Sequence, residues 1–185
     1  MRGKGLVMRL FIAINLNDEI KEHLMTAVGE LKRLAVKGTF THRDNLHLTL
    51  VFLGELGSDR VEAVKTAMNQ VTGESFLIEV KGFGKFERRG GDIHWAGVGR
   101  NDFLQKLQKQ LSLELKKEGF SVEDRAYFPH LTLGRQIVLS EPHREVFGAL
   151  GDIKKEMTVS KISLMKSERI NGKLTYTEIY NRALS

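Results

Sequence analysis

A chain of 185 residues with no cysteine excludes disulfides and thiolate metal sites, and no apolar run approaches the ~20 residues of a membrane-spanning helix. Its length suits one domain with a substantial core, and 41% hydrophobic residues is the content of a soluble protein. The formal charge of +6 favours a polyanionic partner and permits RNA binding without demonstrating it.

Residues before Met8 carry no usable pattern, so 1–7 are read as an N-terminal extension and 8–185 as a single domain. The apolar stretch from Leu10 to Ile14 is too short, and too poor in small residues after it, for a secretory leader, so a cytoplasmic location is expected. The stretch from Leu10 to Asn15 reads as a buried strand. Asn17 then caps a helix whose first turn holds Asp18 and Glu19. Ile20, Leu24, Ala27, Val28, Leu31 and Leu34 keep helical spacing, and Gly38 marks the stop.

The next strand begins at His47-Leu48-Thr49-Leu50 and closes at Gly54. Ser58 opens a second helix with Val61, Val64, Met68 and Val71 inward and Gly73 beyond its end. Phe76 to Lys81 alternates as a strand, and the glycine-rich stretch from Gly82 to Asp92 reads as a loop or hairpin flanking a cleft. Its Gly-x-Gly-Lys lacks the spacing and the Ser/Thr of a Walker loop.

Ile93 to Val98 is a strand, and Asn101 or Asp102 caps a third helix with Phe103, Leu104, Leu107, Leu111 and Leu115 as its apolar stripe. Gly119 ends it. A second strand of the earlier kind, His130-Leu131-Thr132-Leu133, follows Pro129. Ser140, Glu141 and Pro142 start a short helix reaching about Leu150. Met157 to Leu164 and Lys173 to Asn181 read as two strands joined by a turn at Asn171-Gly172.

The repeated His-Leu-Thr-Leu is the feature that carries chemistry. Side chains alternate along a strand, so each copy buries two leucines and presents an imidazole beside a hydroxyl. Two imidazoles of pKa ~6.5 can divide acid and base duties. Two hydroxyls beside them can bond non-bridging phosphate oxygens. The array suits phosphodiester cleavage without a metal. Each motif offers one histidine and no carboxylate, and Asp44 and Asp124 lie outside the motifs, so no metal and no cofactor is expected.

Other candidates read more blandly. His42 belongs to a surface loop, while His23 and His143 fall on helices. His94 is a packed strand residue unless it lines the cleft. Trp95 belongs to the core before it belongs to a stacking platform. Tyr127 and Phe128 precede the second motif, where an aromatic ring can stack on a base.

The chain resembles the 2H phosphoesterase superfamily, whose hallmark is a pair of His-x-Thr/Ser-x motifs. Within it the resemblance is to the RNA 2′,3′-cyclic phosphodiesterases, also called 2′-5′ RNA ligases. It covers nearly the whole chain: the opening from Met8 to Ile14, the motif from Asn45 to Gly54, and Ile93-His94-Trp95-Ala96-Gly97-Val98. It continues through Phe128-Pro129-His130-Leu131-Thr132-Leu133-Gly134-Arg135 and the closing Leu164 to Ser167 and Gly172 to Tyr176.

The resemblance implies an α+β, bilobal fold: two antiparallel-sheet-plus-helix lobes related by a pseudo-two-fold axis around a central cleft. It implies His47 as proton donor to the 3′ oxygen, His130 as proton acceptor, and Thr49 and Thr132 as phosphate-binding. The implied substrate is RNA, or a nucleotide, with a 2′,3′-cyclic phosphate, and the product a 2′-phosphomonoester, with 2′-5′ ligation as the reverse reaction. A monomer without membrane association is expected. The resemblance also suggests a phosphate contact from Arg135. Strict alternation places that residue on the leucine face, so the contact requires a bulge at Gly134 to re-aim it. Two alternatives stay open: a cyclic phosphodiesterase acting on a small nucleotide or ADP-ribose derivative, and a non-catalytic RNA- or nucleotide-binding module.

Overall fold

Leu10, Ile12 and Ile14 alternate along Val7–Asn15 (β1) and are at most 1% exposed, so one face of this strand is core. The structure, a computed structural model, describes residues 6–140, 148 and 152–185. β1 takes in Val7, paired with Gly57, and the Leu6 carbonyl accepts from the Ser58 amide, so the sheet begins just ahead of Met8.

Helix α1 (Asp18–Leu34) is capped as its sequence demands, the Asn17 side chain accepting from the Ile20 amide at 2.9 Å. It ends at Leu34, but Gly38 is not its stop. Ala35 turns extended and Ala35–Phe40 forms an edge strand, β2, in which Gly38 lies against Ile137 too closely for a Cβ. Pairing with another strand decided this segment, which helical periodicity could not foretell.

The remaining elements are β3 (His47–Gly57), α2 (Val61–Gln70), β4 (Phe76–Phe86), β5 (Asp92–Val98), α3 (Asp102–Lys117), β6 (His130–Leu139), β7 (Lys154–Val159), β8 (Lys161–Ile170) and β9 (Lys173–Ala183). Ser58 starts a 3-10 turn (Ser58–Arg60) before α2. The stretch from Gly82 to Asp92 is a hairpin, β4 running on to Phe86 before turning into β5. Asn171 and Gly172, both at positive φ, turn β8 into β9 as expected.

Two expectations fail in detail. The single strand expected from Met157 to Leu164 is two: β7 belongs to one sheet and β8 to the other, the chain changing sheets at Ser160. Val159 and Ile162 are both buried, so apolar spacing passes through the break without a signal. Phe103, expected in the α3 stripe, is 65% exposed and stacks on Phe76. The helix expected from Ser140 to Leu150, with His143, falls outside the described residues except at Ser140 and Gly148.

The strands form two antiparallel sheets, ordered β3-β1-β8-β9 and β2-β6-β5-β4-β7. Helix α1 packs on the five-stranded sheet, whereas α2 and α3 pack with β9 and β3 of the four-stranded one. One buried cluster joins the helices to the inner leucine, isoleucine and valine faces of both sheets. The fold is therefore the α+β, two-sheet arrangement expected, and its motif strands β3 and β6 are in contact. Among the described residues no helix is long and apolar enough to cross a membrane.

Candidate active site

The two motif strands are built alike. In β3, Leu48 and Leu50 are buried while His47 and Thr49 are half-buried on the other face; in β6, Leu131 and Leu133 are buried opposite His130 and Thr132. Each imidazole is held by the carbonyl two residues before it. His47 Nδ1 lies 2.7 Å from the Asn45 carbonyl, and His130 Nδ1 lies 2.9 Å from that of Phe128. A carbonyl only accepts, so Nδ1 carries the proton in both rings. Nε2 is thereby left as the atom that gains or loses a proton. At His47 this nitrogen stands 2.9 Å from Thr49 Oγ1, whose hydroxyl donates to it in the neutral ring.

The clamp on His47 is itself anchored. Asn45 is buried, and its side-chain amide donates to the Leu174 carbonyl at 2.9 Å. Phe11 and Tyr176 wall the His47 ring at 4.8 and 5.3 Å between centroids. His130 is walled by Phe86, at 5.0 Å, with Trp95 and Phe128 beyond. Trp95 lies across Gly84, where an added Cβ would come within 2.1 Å of the indole. The glycine is thus what lets the indole lie flat on β4.

Arg135 does reach the histidine face. In β6 the partners of Trp95 and His94 are Thr132 and Gly134, so Leu133 is an extra residue that breaks alternation. Leu133 and Gly134 are both buried, and Arg135 emerges exposed on the side of His130 and Thr132. Gly134 fits tightly there, since a Cβ would meet the Ile137 side-chain tip at 2.7 Å and the Thr39 carbonyl at 3.1 Å. The expected bulge exists.

The first motif bulges at the same step. Thr49 and Val51 face Ala13 and Ile12, leaving Leu50 extra, and Phe52 emerges 54% exposed at the position matching Arg135. The Arg9 guanidinium lies 5.1 Å from the centre of its ring. Sequence reasoning missed Phe52 and Arg9, and also Phe11, Tyr176 and Phe86. Only the repeated motif, with Val51 after one copy and Gly134 after the other, hinted at Phe52 as the counterpart of Arg135.

Electrostatics bind these groups into one site. Burial holds the His47 imidazole below its ordinary value, and the positive charges of Arg135, His130 and Lys21 push the same way against the Asn45 bond. Burial also lowers His130, helped by Arg135 and Arg125 and opposed by the Phe128 carbonyl. Arg135 therefore acts on both rings, and its charge also favours the ionised Tyr176 phenol, which burial pushes up overall.

The two motifs brace each other through backbone. Tyr127, just ahead of the second motif, donates its hydroxyl to the Thr49 carbonyl at 2.8 Å. Thr41, just ahead of the first, donates to the Thr132 carbonyl at 2.9 Å. Burial pushes the Tyr127 phenol far up, so it remains a donor at any physiological pH.

The lesser candidates settle simply. His42 is exposed before a 3-10 turn (Arg43–Asn45), His23 is exposed on α1, and His94 is 1% exposed on the core face of β5. Phe128 is 53% exposed beside His130. Among the described residues no three His, Asp or Glu side chains converge as a metal site would require.

The sequence model of the 2′-5′ RNA ligase superfamily matches residues 16–171. An RNA 2′,3′-cyclic phosphodiesterase of Thermotoga maritima is 39% identical over 131 residues, covering 69% of this chain and 70% of its own. A protein of the same name from Methanothermobacter thermautotrophicus is 31% identical over 180 residues, covering 93% and 96%. Among solved structures, Escherichia coli LigT complexed with 3′-AMP superposes with a TM-score of 0.79 at 24% identity, covering 97% of this chain and 98% of that one. At that identity the likeness speaks for the fold.

Proposed function

The chain belongs to the 2′-5′ RNA ligase superfamily, and we propose that it hydrolyses the terminal 2′,3′-cyclic phosphate of RNA by paired-histidine acid–base catalysis. The observation that carries this reading is the matched pair of Nδ1 clamps, which leaves two Nε2 atoms for proton transfer on contacting strands. A binding module has no need of two such groups.

His130 is the less enclosed ring, beside exposed Phe128, where water has access. Neutral His130 takes a proton from that water as its oxygen bonds to phosphorus. The bond from phosphorus to the 3′ oxygen breaks, and protonated His47 gives its Nε2 proton to the departing oxygen. The 2′-phosphomonoester remains. Thr49 and Thr132 hydroxyls and the Arg135 guanidinium hold the phosphoryl oxygens as charge gathers on them. Burial holds His47 low with neighbouring cations adding to it, and the incoming phosphate offsets those cations, so substrate itself favours the protonated acid. With an RNA 5′-hydroxyl in place of water, the same opening of the P–O3′ bond makes a 2′-5′ linkage, the reverse of 2′-5′ cleavage. Water at ~55 M favours hydrolysis by mass action.

Phosphorus NMR of the product tests the assignment. A 2′-phosphate is expected; a 3′-phosphate would reverse the two histidines relative to bound substrate. Turnover is expected to survive exhaustive chelation, and a loss restored by zinc or manganese would replace this mechanism.

A further inference from the structure

A groove of about 420 Å³ runs between α3 and the segment before the second motif, with Lys106, Lys109 and Lys116 on one wall and Arg125 and Tyr127 on the other. Spacings of three and seven residues put the three lysines on one helical face. The groove's two carboxylates are already matched: Glu123 pairs with Arg125 at 2.6 Å, and Asp124 with Lys116. Among the described residues Lys106 and Lys109 form no ion pair, so the groove keeps an excess of positive charge. Gln105, Gln108 and Ser112 line it with neutral hydrogen-bonding groups.

The groove adjoins the site. The Gln105 amide donates to the Tyr127 carbonyl and the Gln108 amide to the Leu50 carbonyl, both at 3.3 Å. Tyr127 itself bonds the Thr49 carbonyl. At the other wall Arg125 is near enough for its charge to lower His130. Only Phe128 and Pro129 separate Tyr127 from His130 in the chain.

A 2′,3′-cyclic phosphate closes the 3′ end of a strand, so everything else that the substrate carries extends in the 5′ direction. We propose that the α3 groove binds the phosphodiester backbone 5′ of the terminal nucleotide, with Lys106 and Lys109 as its phosphate contacts, and that it makes the chain prefer an RNA strand to a cyclic mononucleotide. This rests on the reading of the cleft as a cyclic phosphodiesterase. Cationic side chains free of protein partners suit a mobile polyanion, because each phosphate contact releases condensed counterions. An acidic peptide would be the other polyanion to consider, but only a strand already anchored at the cleft follows from the groove's position.

The test compares the wild type with a Lys106→Glu, Lys109→Glu variant, using a short RNA ending in a 2′,3′-cyclic phosphate and the matching 2′,3′-cyclic mononucleotide. Both lysines are exposed on a helix, far from any packing role. The wild type is expected to show at least about tenfold higher kcat/KM on the oligomer, an advantage that weakens as salt rises. The variant should lose most of that advantage through KM and keep mononucleotide turnover within about twofold. Binding of the 2′-phosphate-ended RNA, followed by fluorescence anisotropy, should lose about 0.7 from its log–log salt slope per lysine removed.

An unchanged oligomer-to-mononucleotide ratio with an unchanged salt slope would overturn the groove, as would an equal fall on both substrates. Anisotropy with an acidic peptide matching or exceeding RNA would overturn the assignment to RNA. Absence of wild-type turnover on either substrate would sink the cyclic-phosphodiesterase reading instead. The salt slope would then decide the groove by itself.

Discussion

The two motif strands share a plan and differ in its furnishing. Both clamp Nδ1 on the carbonyl two residues back, both bulge one residue past the threonine, and both have that threonine's carbonyl held from across the site. Yet β3 places Phe52 where β6 places Arg135, and His47 is the more enclosed of the two rings, with its Nε2 already against Thr49. The backbone device repeats, while the side chains after the bulge make one half apolar and the other cationic. Such asymmetry gives two like imidazoles different proton affinities. In the free chain the tighter enclosure disfavours a charged His47, so the acid role proposed for it leans on the negative charge of bound phosphate.

The largest effect should come from breaking the pair. His47→Ala and His130→Ala should each lower kcat by ~10²–10⁴-fold, the range for a lost proton-transfer group. The double variant should fall much less than the product of the two, because the groups act as one unit. Turnover near wild type in either single variant would remove that histidine from the chemistry. Fully multiplicative losses would assign the two to separate steps.

Arg135→Gln probes the asymmetry itself and should cost on the order of 10² in kcat, as a lost donor to developing oxyanion charge does. The pH profile tells more. Both imidazoles are held below their ordinary ~6.5 in the free chain, so the bell of kcat/KM should centre on the acid side of that value. Bound phosphate favours the imidazolium, so the bell of kcat should sit at higher pH. Arg135 depresses both rings, and removing its charge should move both limbs of kcat/KM upward. Unmoved limbs in Arg135→Gln would show that its guanidinium does not face the pair. The limbs belong to the coupled histidines together.

Much of this was legible in residues. Alternation alone placed His47, Thr49, His130 and Thr132 opposite buried leucines, and the Asn171-Gly172 turn and the caps at Asn17 and Asn101 follow from local chemistry that tertiary context did not override. Arg135 required a break in that alternation, which Gly134 only permitted. What stayed hidden depends on distant partners. Ala35–Phe40 is a strand because β6 offers an edge, and the chain changes sheets at Ser160 because β7 pairs with β4 in one sheet and β8 with β9 in the other. The rings around His47 come from β1 and β9, whose register no local pattern encodes.

The smallest expected effect belongs to the crossed braces, and it tests whether the halves hold each other in place. Tyr127→Phe keeps the ring and deletes the hydroxyl that reaches the Thr49 carbonyl; Thr41→Val deletes the one that reaches Thr132. A hydrogen bond of this kind contributes ~0.5–1.5 kcal/mol net, and more where the abandoned carbonyl stays out of water. Both donors are half-buried, so each loss should lower the melting temperature, by roughly 2–4 °C per kcal/mol for a chain of this size. Each change should also slow turnover a few-fold on a cyclic mononucleotide with KM little altered, because it shifts a motif strand without touching substrate. Thr41→Ser, which retains the hydroxyl, should behave as wild type. If each brace sets the spacing of both strands, one can hold while the other is gone, and the double variant should lose more kcat than the two single losses multiplied. Losses that merely multiply would mean each brace steadies only its own strand. A melting temperature that falls while kcat stays at the wild-type value in all three variants would make the braces structural alone.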